Sequence, residues 1–487
     1  MRFLGRWLCR FLILVTGMVS VQVAHAQDWF EAFKDRATPA QLHQFLYVMP
    51  KGGDLHLHIT GSVLSEWIYE IALEQSANGY RYYSKHKIEN CPSGLIGGRS
   101  TPYLMLYQTV DQVGYDALDP CEQQEYVALD EFTPVQIERW QNGLRLDKPY
   151  EGRDEFFSKH WERLGDLGRN PYVIGEFLVR NMQAFTAEGL VYMEPQVPIF
   201  GFRQADGQTL TPDEVMAIYI NRLAEKDAQD TAMTIRMQVS LLRFLPDAEE
   251  ILTYLYKFAH AYEQVVAVNF VGREDNDKGY PLRFLDTLRE LRKTYSGVQL
   301  SIHAGEVDEP NYHVRDTLLL GADRIGHGVN LITDPATLID MRYGPYLVEI
   351  NLISNLLLEY ITDYDQHPFP EYLRTGVPVA LSTDDRGMWD STMTDEFFVA
   401  VSEFDLSWPE VLTLSRNSLS YSFLEDDEKQ RVLALYNKRI ERFEKDFRRK
   451  GDKVFADAKP PRLGFVCRQY GLCEDTSTQA LQLSLIH

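Results

Sequence analysis

Beyond residue 26 the chain has no uninterrupted apolar run of about 18 residues, the length a helix needs to cross a bilayer core. It also lacks an internal repeat and a low-complexity tract, which sets aside solenoids and extended disordered polymers. Basic residues are scarce: 49 Lys and Arg stand against 71 Asp and Glu, a net charge of −22. Such a chain repels phosphate backbones and anionic membrane surfaces. Nucleic acid and lipid are therefore poor partners, and a neutral or cationic small molecule is an easier one. Cysteine is rare as well, with five in 487 residues. Cys9 lies in the amino-terminal segment, leaving Cys91, Cys121, Cys467 and Cys473. Of the three ways to pair these four, Cys91–Cys121 and Cys467–Cys473 are nearest in sequence; four free buried thiols are the alternative.

What is present begins with a leader pattern. Arg2, Arg6 and Arg10 precede a mostly apolar stretch, Phe11 to Val23, and Ala24-His25-Ala26 supplies small residues at a cleavage position. This is the order of a secretory signal peptide, covering residues 1–26. Cys9 precedes the apolar core and is misplaced for a lipid anchor. The expectation is an exported protein, periplasmic or secreted, with no membrane attachment after cleavage. Export to an oxidising compartment also favours the disulfides over free thiols.

The remainder has 45% hydrophobic and 25% charged residues, the balance of an ordinary globular protein. Thr38-Pro39 opens a helical lead-in with Leu42, Phe45, Leu46 and Val48 at helical spacing. A short run at 54–59 follows Lys51-Gly52-Gly53. From about 62 to 186 the sequence shows helical patches such as Ser65–Gln75 and Asp154–Leu167, a cysteine-bearing segment, and no strong strand. Then a rhythm sets in. Apolar runs at Leu190–Val197, Thr234–Leu241, Val265–Val271, Val298–His303, Arg324–His327, Tyr346–Leu352 and Val377–Ser382 alternate with helical patterns. With the run at 54–59 that makes eight, the order of an α/β fold of the (β/α)8 TIM-like barrel type. The stretch at about 62–186 reads as a helical, disulfide-clipped insertion after the first strand. The expected division is a barrel domain over 27–450 and a carboxy-terminal tail over 451–487.

Histidines and carboxylates sit at the ends of these runs. His56 and His58 lie two apart on a strand, so both side chains take the same face. His303 ends the run Val298–Ile302 with Glu306 three residues on, His327 stands between Gly326 and Gly328, and Asp384-Asp385 ends another run. Each has a bland alternative: a packed histidine, a turn residue, a helix cap. Together they are what a mononuclear zinc hydrolase requires on the carboxyl face of a barrel.

In order and spacing, Asp54-Leu55-His56-Leu57-His58, His303-Ala304-Gly305-Glu306, Gly326-His327-Gly328 and Ser382-Thr383-Asp384-Asp385 resemble the metal-dependent adenosine deaminase family. Met49-Pro50-Lys51-Gly52-Gly53 and the leader are similar to its secreted, growth-factor-related branch. The resemblance implies one Zn2+ per chain held by His56, His58, His303 and Asp384. It also implies that Glu306 donates a proton to a purine ring nitrogen and that His327 orients the attacking water and takes its proton. Asp385 would hydrogen-bond a second ring nitrogen, and Gly272 would meet the base through its backbone. The implied reaction turns adenosine, and 2′-deoxyadenosine, into inosine and ammonia.

Two positions depart from the family pattern. Thr60 stands where an acid usually meets the ribose, and Arg386 follows the aspartate pair where proline is common. Val348 to Asn355 and His367-Pro368 match the family as scaffold, with no chemistry assigned. Adenine or an N6-modified base is the alternative substrate, and a binding protein that keeps the barrel without turnover is the alternative of another class. No basic cluster favours a nucleotide, and no lysine near the middle runs favours a two-metal site. A homodimer is compatible with the branch.

Overall fold

Strands that are covered on both faces must be apolar along their whole length, and this is how the eight runs are used. The computed structural model describes residues 29–89, 91, 105–276, 278–307, 311–460 and 464–473. The expected signal peptide and the residues after 473 lie outside that set. Eight parallel strands follow one another in sequence order: β1 (Gly53–His58), β2 (Tyr192–Val197), β3 (Met237–Leu242), β4 (Val265–Val271), β5 (Gln299–Ala304), β6 (Arg324–His327), β7 (Leu347–Ile350) and β8 (Val379–Leu381). A bridge between Leu57 and Asp384 brings the last strand's end to the first. Asp54 reinforces the seam by accepting from the Thr383 hydroxyl at 2.5 Å and from the Thr383 backbone N–H at 3.2 Å. The result is a nearly closed (β/α)8 barrel, as the rhythm predicts. One run is broken: Arg236 separates a two-residue strand, Thr234–Ile235, from β3.

The helices are set by recognisable signals. Thr38 caps Pro39–Val48 with a reciprocal capping box to Gln41, and Thr211 does the same for Pro212–Leu223. The long helix Asp426–Lys450 buries Val432, Tyr436, Ile440, Phe443 and Phe447 at spacings of three and four. Three acids fill its first turn and three bases its last, matching the helix dipole. It docks on an aromatic cluster in which Phe45 lies 4.7 Å from Phe33, 5.2 Å from Phe443 and 5.3 Å from Phe447 between ring centroids.

The insertion departs from the sequence reading. It carries a three-stranded antiparallel sheet, Tyr82–Lys85 between Thr109–Asp111 and Tyr126–Ala128, where no strand is expected. These strands have three or four residues each and the central one is buried throughout, so no alternating pattern could announce them. Inside this unit the Lys85 ammonium pairs with Glu125 at 2.6 Å, and a disulfide joins Cys91 to Cys121, with Cα atoms 5.8 Å apart. The second disulfide joins Cys467 to Cys473. The patch at Asp154–Leu167 forms a π-helical turn, Phe156–His160, between short helical pieces. It brings Phe156, Phe157 and Trp161 to a cavity at the barrel mouth.

Candidate metal centre and active site

The ends of β1, β5, β6 and β8 deliver the side chains singled out above to one place. Asp384 Oδ1 lies 3.3 Å from His58 Nε2 and 3.6 Å from His56 Nε2. His303 Nε2 lies 3.3 Å from His58 Nε2. His327 stacks beside this group, its ring centroid 4.9 Å from that of His56 and 5.2 Å from that of His303. Asp384 and His327 both adopt the left-handed backbone region, with φ of 54° and 64°. Non-glycine residues held there carry strain of about 1–3 kcal/mol, a cost met at sites where side-chain direction matters.

The outer nitrogens decide what the cluster suits. His56 Nδ1 meets Glu349 Oε2 at 2.8 Å, and His303 Nδ1 meets the Asn269 side-chain oxygen at 3.0 Å. Each contact places a proton on Nδ1 and turns an Nε2 lone pair inward. His56 Nε2 is buried with no hydrogen-bond partner. Inward lone pairs on neighbouring imidazoles repel unless a cation lies between them. Three imidazole nitrogens and one carboxylate oxygen form a borderline donor set of the kind zinc takes. The residues present therefore fit a single metal ion. The local field agrees: burial opposes charge on His56, yet Asp384 and Glu349 raise its pKa to about 10. The site attracts positive charge.

Two carboxyl groups beside the cluster are pushed the other way. Burial, then the charges of Asp384 and Glu274, hold Glu306 well above the usual carboxylate range, so it is protonated and a donor. Burial, then Asp384 and Glu306, do the same for Asp385. Asp385 Oδ1 is buried without a partner and lines the cavity. Gly61 makes room for it, since a Cβ at residue 61 would lie 1.8 Å from Asp385 Oδ1. Glu306 Oε1 is 3.7 Å from His327 Nε2. The cavity above these groups has a volume of about 520 Å³ and more apolar than polar lining, the size and character of a small-molecule site. Gly272 and Thr60 lie on its wall. Gly272 has φ of +95°, and its carbonyl accepts from the Arg243 guanidinium at 3.0 and 3.2 Å.

Sequence reasoning passed over several supports. Glu274 accepts the backbone N–H groups of Gly305 and Glu306 at 3.0 and 2.9 Å, holding the loop that presents Glu306. Burial pushes the Glu274 pKa upward, but His313 and Arg243 bring it below the usual range, so it stays anionic. Glu349 is held by Arg324 at 2.6 Å as well as by His56. Gln196, on β2 beside His58, is buried on the cavity wall with neither amide atom hydrogen-bonded. It shares its strand with Glu194 and Pro195, so nothing in the run singles it out. His43 and His160, left aside from the site, are buried and bonded to Asp395 and to backbone carbonyls.

A parallel barrel with a histidine and aspartate cluster at the carboxyl ends of its strands defines the class of metal-dependent barrel hydrolases. The adenosine deaminase family model matches residues 157–438, and the chain belongs to that family of hydrolytic deaminases. An adenosine deaminase of Lutzomyia longipalpis is 23% identical over 433 residues, 84% of this chain and 80% of that protein. One of Phlebotomus duboscqi is 24% identical over 451 residues, 86% of this chain and 81% of that protein. The fold is shared with the crystal structure of an adenine deaminase from Arthrobacter aurescens. That match has a TM-score of 0.59 and 19% identity, and covers 80% of this chain and 99% of that one.

Proposed function

We propose that the protein is an exported enzyme that deaminates adenosine, and 2′-deoxyadenosine, to inosine and ammonia with one zinc ion per chain. The observation that carries the reading is a buried carboxyl, Glu306, 3.7 Å from His327 and beside a donor set that fits one metal. Export rests on the leader pattern and on two disulfides, which persist outside the reducing cytosol. His56, His58, His303 and Asp384 would hold the zinc, which supplies the Lewis acidity that makes a water nucleophilic at neutral pH.

The remaining work falls to this chain's own groups. The apolar walls take the purine face and exclude bulk water. Glu306, neutral by burial, donates its proton to a ring nitrogen, which makes the amino-bearing carbon more electrophilic. Asp385, also neutral, donates to a second ring nitrogen and fixes the base's orientation. The backbone of Gly272, set by Arg243, borders the same ring. His327 orients the attacking water: its oxygen bonds to the amino-bearing carbon as the C–N bond breaks, one water proton leaves with the amino group as ammonia, and the other restores Glu306. Thr60 and Gln196 face the sugar. Among the described residues the cavity wall carries a single cation, Arg169, which suits a neutral nucleoside better than a nucleotide.

The test is the fall in ultraviolet absorbance as purified protein converts adenosine, with adenine assayed in parallel. Glu306→Gln keeps the shape and removes the acid, so kcat should drop by about 100- to 10,000-fold. Zinc content measured on the same preparation should approach one per chain. Turnover of adenine in preference to adenosine, or an active Glu306→Gln protein, would overturn the assignment.

A further inference from the structure

Asn351 and Asn355 lie one helical turn apart at the start of the helix Leu352–Leu357, with the Asn355 N–H donating to the Asn351 carbonyl at 3.0 Å. Both amides reach His327. Asn355 Nδ2 is 3.0 Å from His327 Nδ1, and Asn351 Nδ2 is 3.3 Å from the same atom. The other end of Asn355, Oδ1, lies 3.0 Å from His367 Nε2. His367 Nδ1 in turn lies 3.0 Å from the backbone nitrogen of Phe369. All four polar side chains are buried.

The direction of every bond in this row follows from its far end. A backbone N–H can only donate, so His367 Nδ1 accepts from Phe369. Burial holds His367 neutral, its pKa lowered to about 3, and a neutral imidazole has one proton. That proton is therefore on His367 Nε2 and is donated to Asn355 Oδ1. The amide NH2 of Asn355 must then face His327; the reverse orientation would set two donors against each other. His327 Nδ1 accepts from it. An imidazole whose Nδ1 accepts a hydrogen bond carries its one proton on the other nitrogen, so the proton of His327 lies on Nε2, 3.7 Å from Glu306 Oε1. Asn351 Nδ2 also lies 3.5 Å from His327 Nε2, but its own oxygen has no partner, so nothing stops the amide from turning that oxygen toward the Nε2 proton.

We infer that Asn355 and His367 are positioning residues that fix His327 in the tautomer with its proton on Nε2, so that His327 meets the attacking oxygen as a hydrogen-bond donor and not as the proton acceptor that the family resemblance implies. The polarity originates at the Phe369 peptide and travels through two side chains to the site. The identity of what His327 donates to rests on the deaminase reading, whereas the tautomer belongs to the protein alone.

The experiment is nitrogen-15 NMR of the metal-loaded protein with labelled histidines, the His327 signals being those lost in His327→Gln. The expected spectrum shows an unprotonated Nδ1 and a protonated Nε2 at His327. Asn355→Asp offers an acceptor to both rings at nearly the same shape. It should move the His327 proton to Nδ1, leave the His367 signals in place, and lower kcat with adenosine by about 100-fold or more at little change in KM. A wild-type His327 protonated on Nδ1 would overturn the inference, and that spectrum decides even if Asn355→Asp does not fold. A variant whose spectrum flips while kcat holds would overturn the donor role. Absence of adenosine turnover with the expected wild-type spectrum would overturn the substrate assignment and leave the tautomer standing.

Discussion

Glu306 and Asp385 are both kept neutral by burial, while Asp384 beside them is held well below its usual range: burial opposes its charge, but the neighbouring imidazoles of His56 and His58 outweigh it. Three carboxyl groups thus take two protonation states within one cluster, the separation that acid-assisted catalysis requires. Gln196 is the counterpart on the sugar side. An amide that offers both a donor and an acceptor to the cavity is matched by a hydroxyl, which can accept from one atom and donate to the other. Gln196→Leu should raise KM for adenosine about tenfold, the equivalent of about 1.4 kcal/mol, with kcat nearly unchanged. Repeating the measurement with 2′-, 3′- and 5′-deoxyadenosine identifies the hydroxyl, since wild type and variant converge on the analogue that lacks it. An unchanged KM for adenosine would show that the amide is satisfied without substrate. None of this was legible in a single sequence, where Gln196 is one polar letter in a strand. His56, His58, His303, His327, Asp384 and Asp385 stood out because they lie at the ends of apolar runs, and Glu306 because it follows His303 by three residues.

At the scale of elements, the strands read clearly and their supports did not. Barrel strands are apolar by necessity, so their number and order survive in one sequence; Glu349, Arg324 and Asn269 sit inside the same runs and look like scaffold until their contacts are known. The sheet of the insertion was hidden by the shortness of its strands. The helix Asp426–Lys450 is dense in charge, yet one face is anchored on aromatic rings. Phe45 is the centre of that anchor and is fully buried. Phe45→Ala should cost about 3–5 kcal/mol through lost transfer energy and a cavity. Since none of its ring partners lines the active-site cavity, the folded variant should keep wild-type kcat and KM. Chemical denaturation and steady-state kinetics on one sample check both halves; a kinetic change would mean that the helix layer and the site communicate.

For the whole molecule, the buried neutral histidines tie stability to pH. His367 has a pKa of about 3 in the fold against an ordinary 6.5, because burial disfavours its charged form. Between those values the unfolded chain holds a proton that the folded chain does not, so unfolding takes up a proton and stability rises with pH. The contribution is fully present above pH 6.5 and is lost as pH falls toward 3. Each unit below 6.5 removes up to about 1.4 kcal/mol from this one residue. His367→Phe abolishes the titration and also breaks the bonds to Asn355 and Phe369, so it should be less stable than wild type at pH 8. The gap between the two proteins should then narrow by about 2 kcal/mol on going to pH 5, read from urea midpoints at each pH. A gap independent of pH would mean that His367 is protonated in the fold or reaches solvent there. The row from Phe369 to His327 could not then hold its direction, so the same titration bears on the site as well as on the fold.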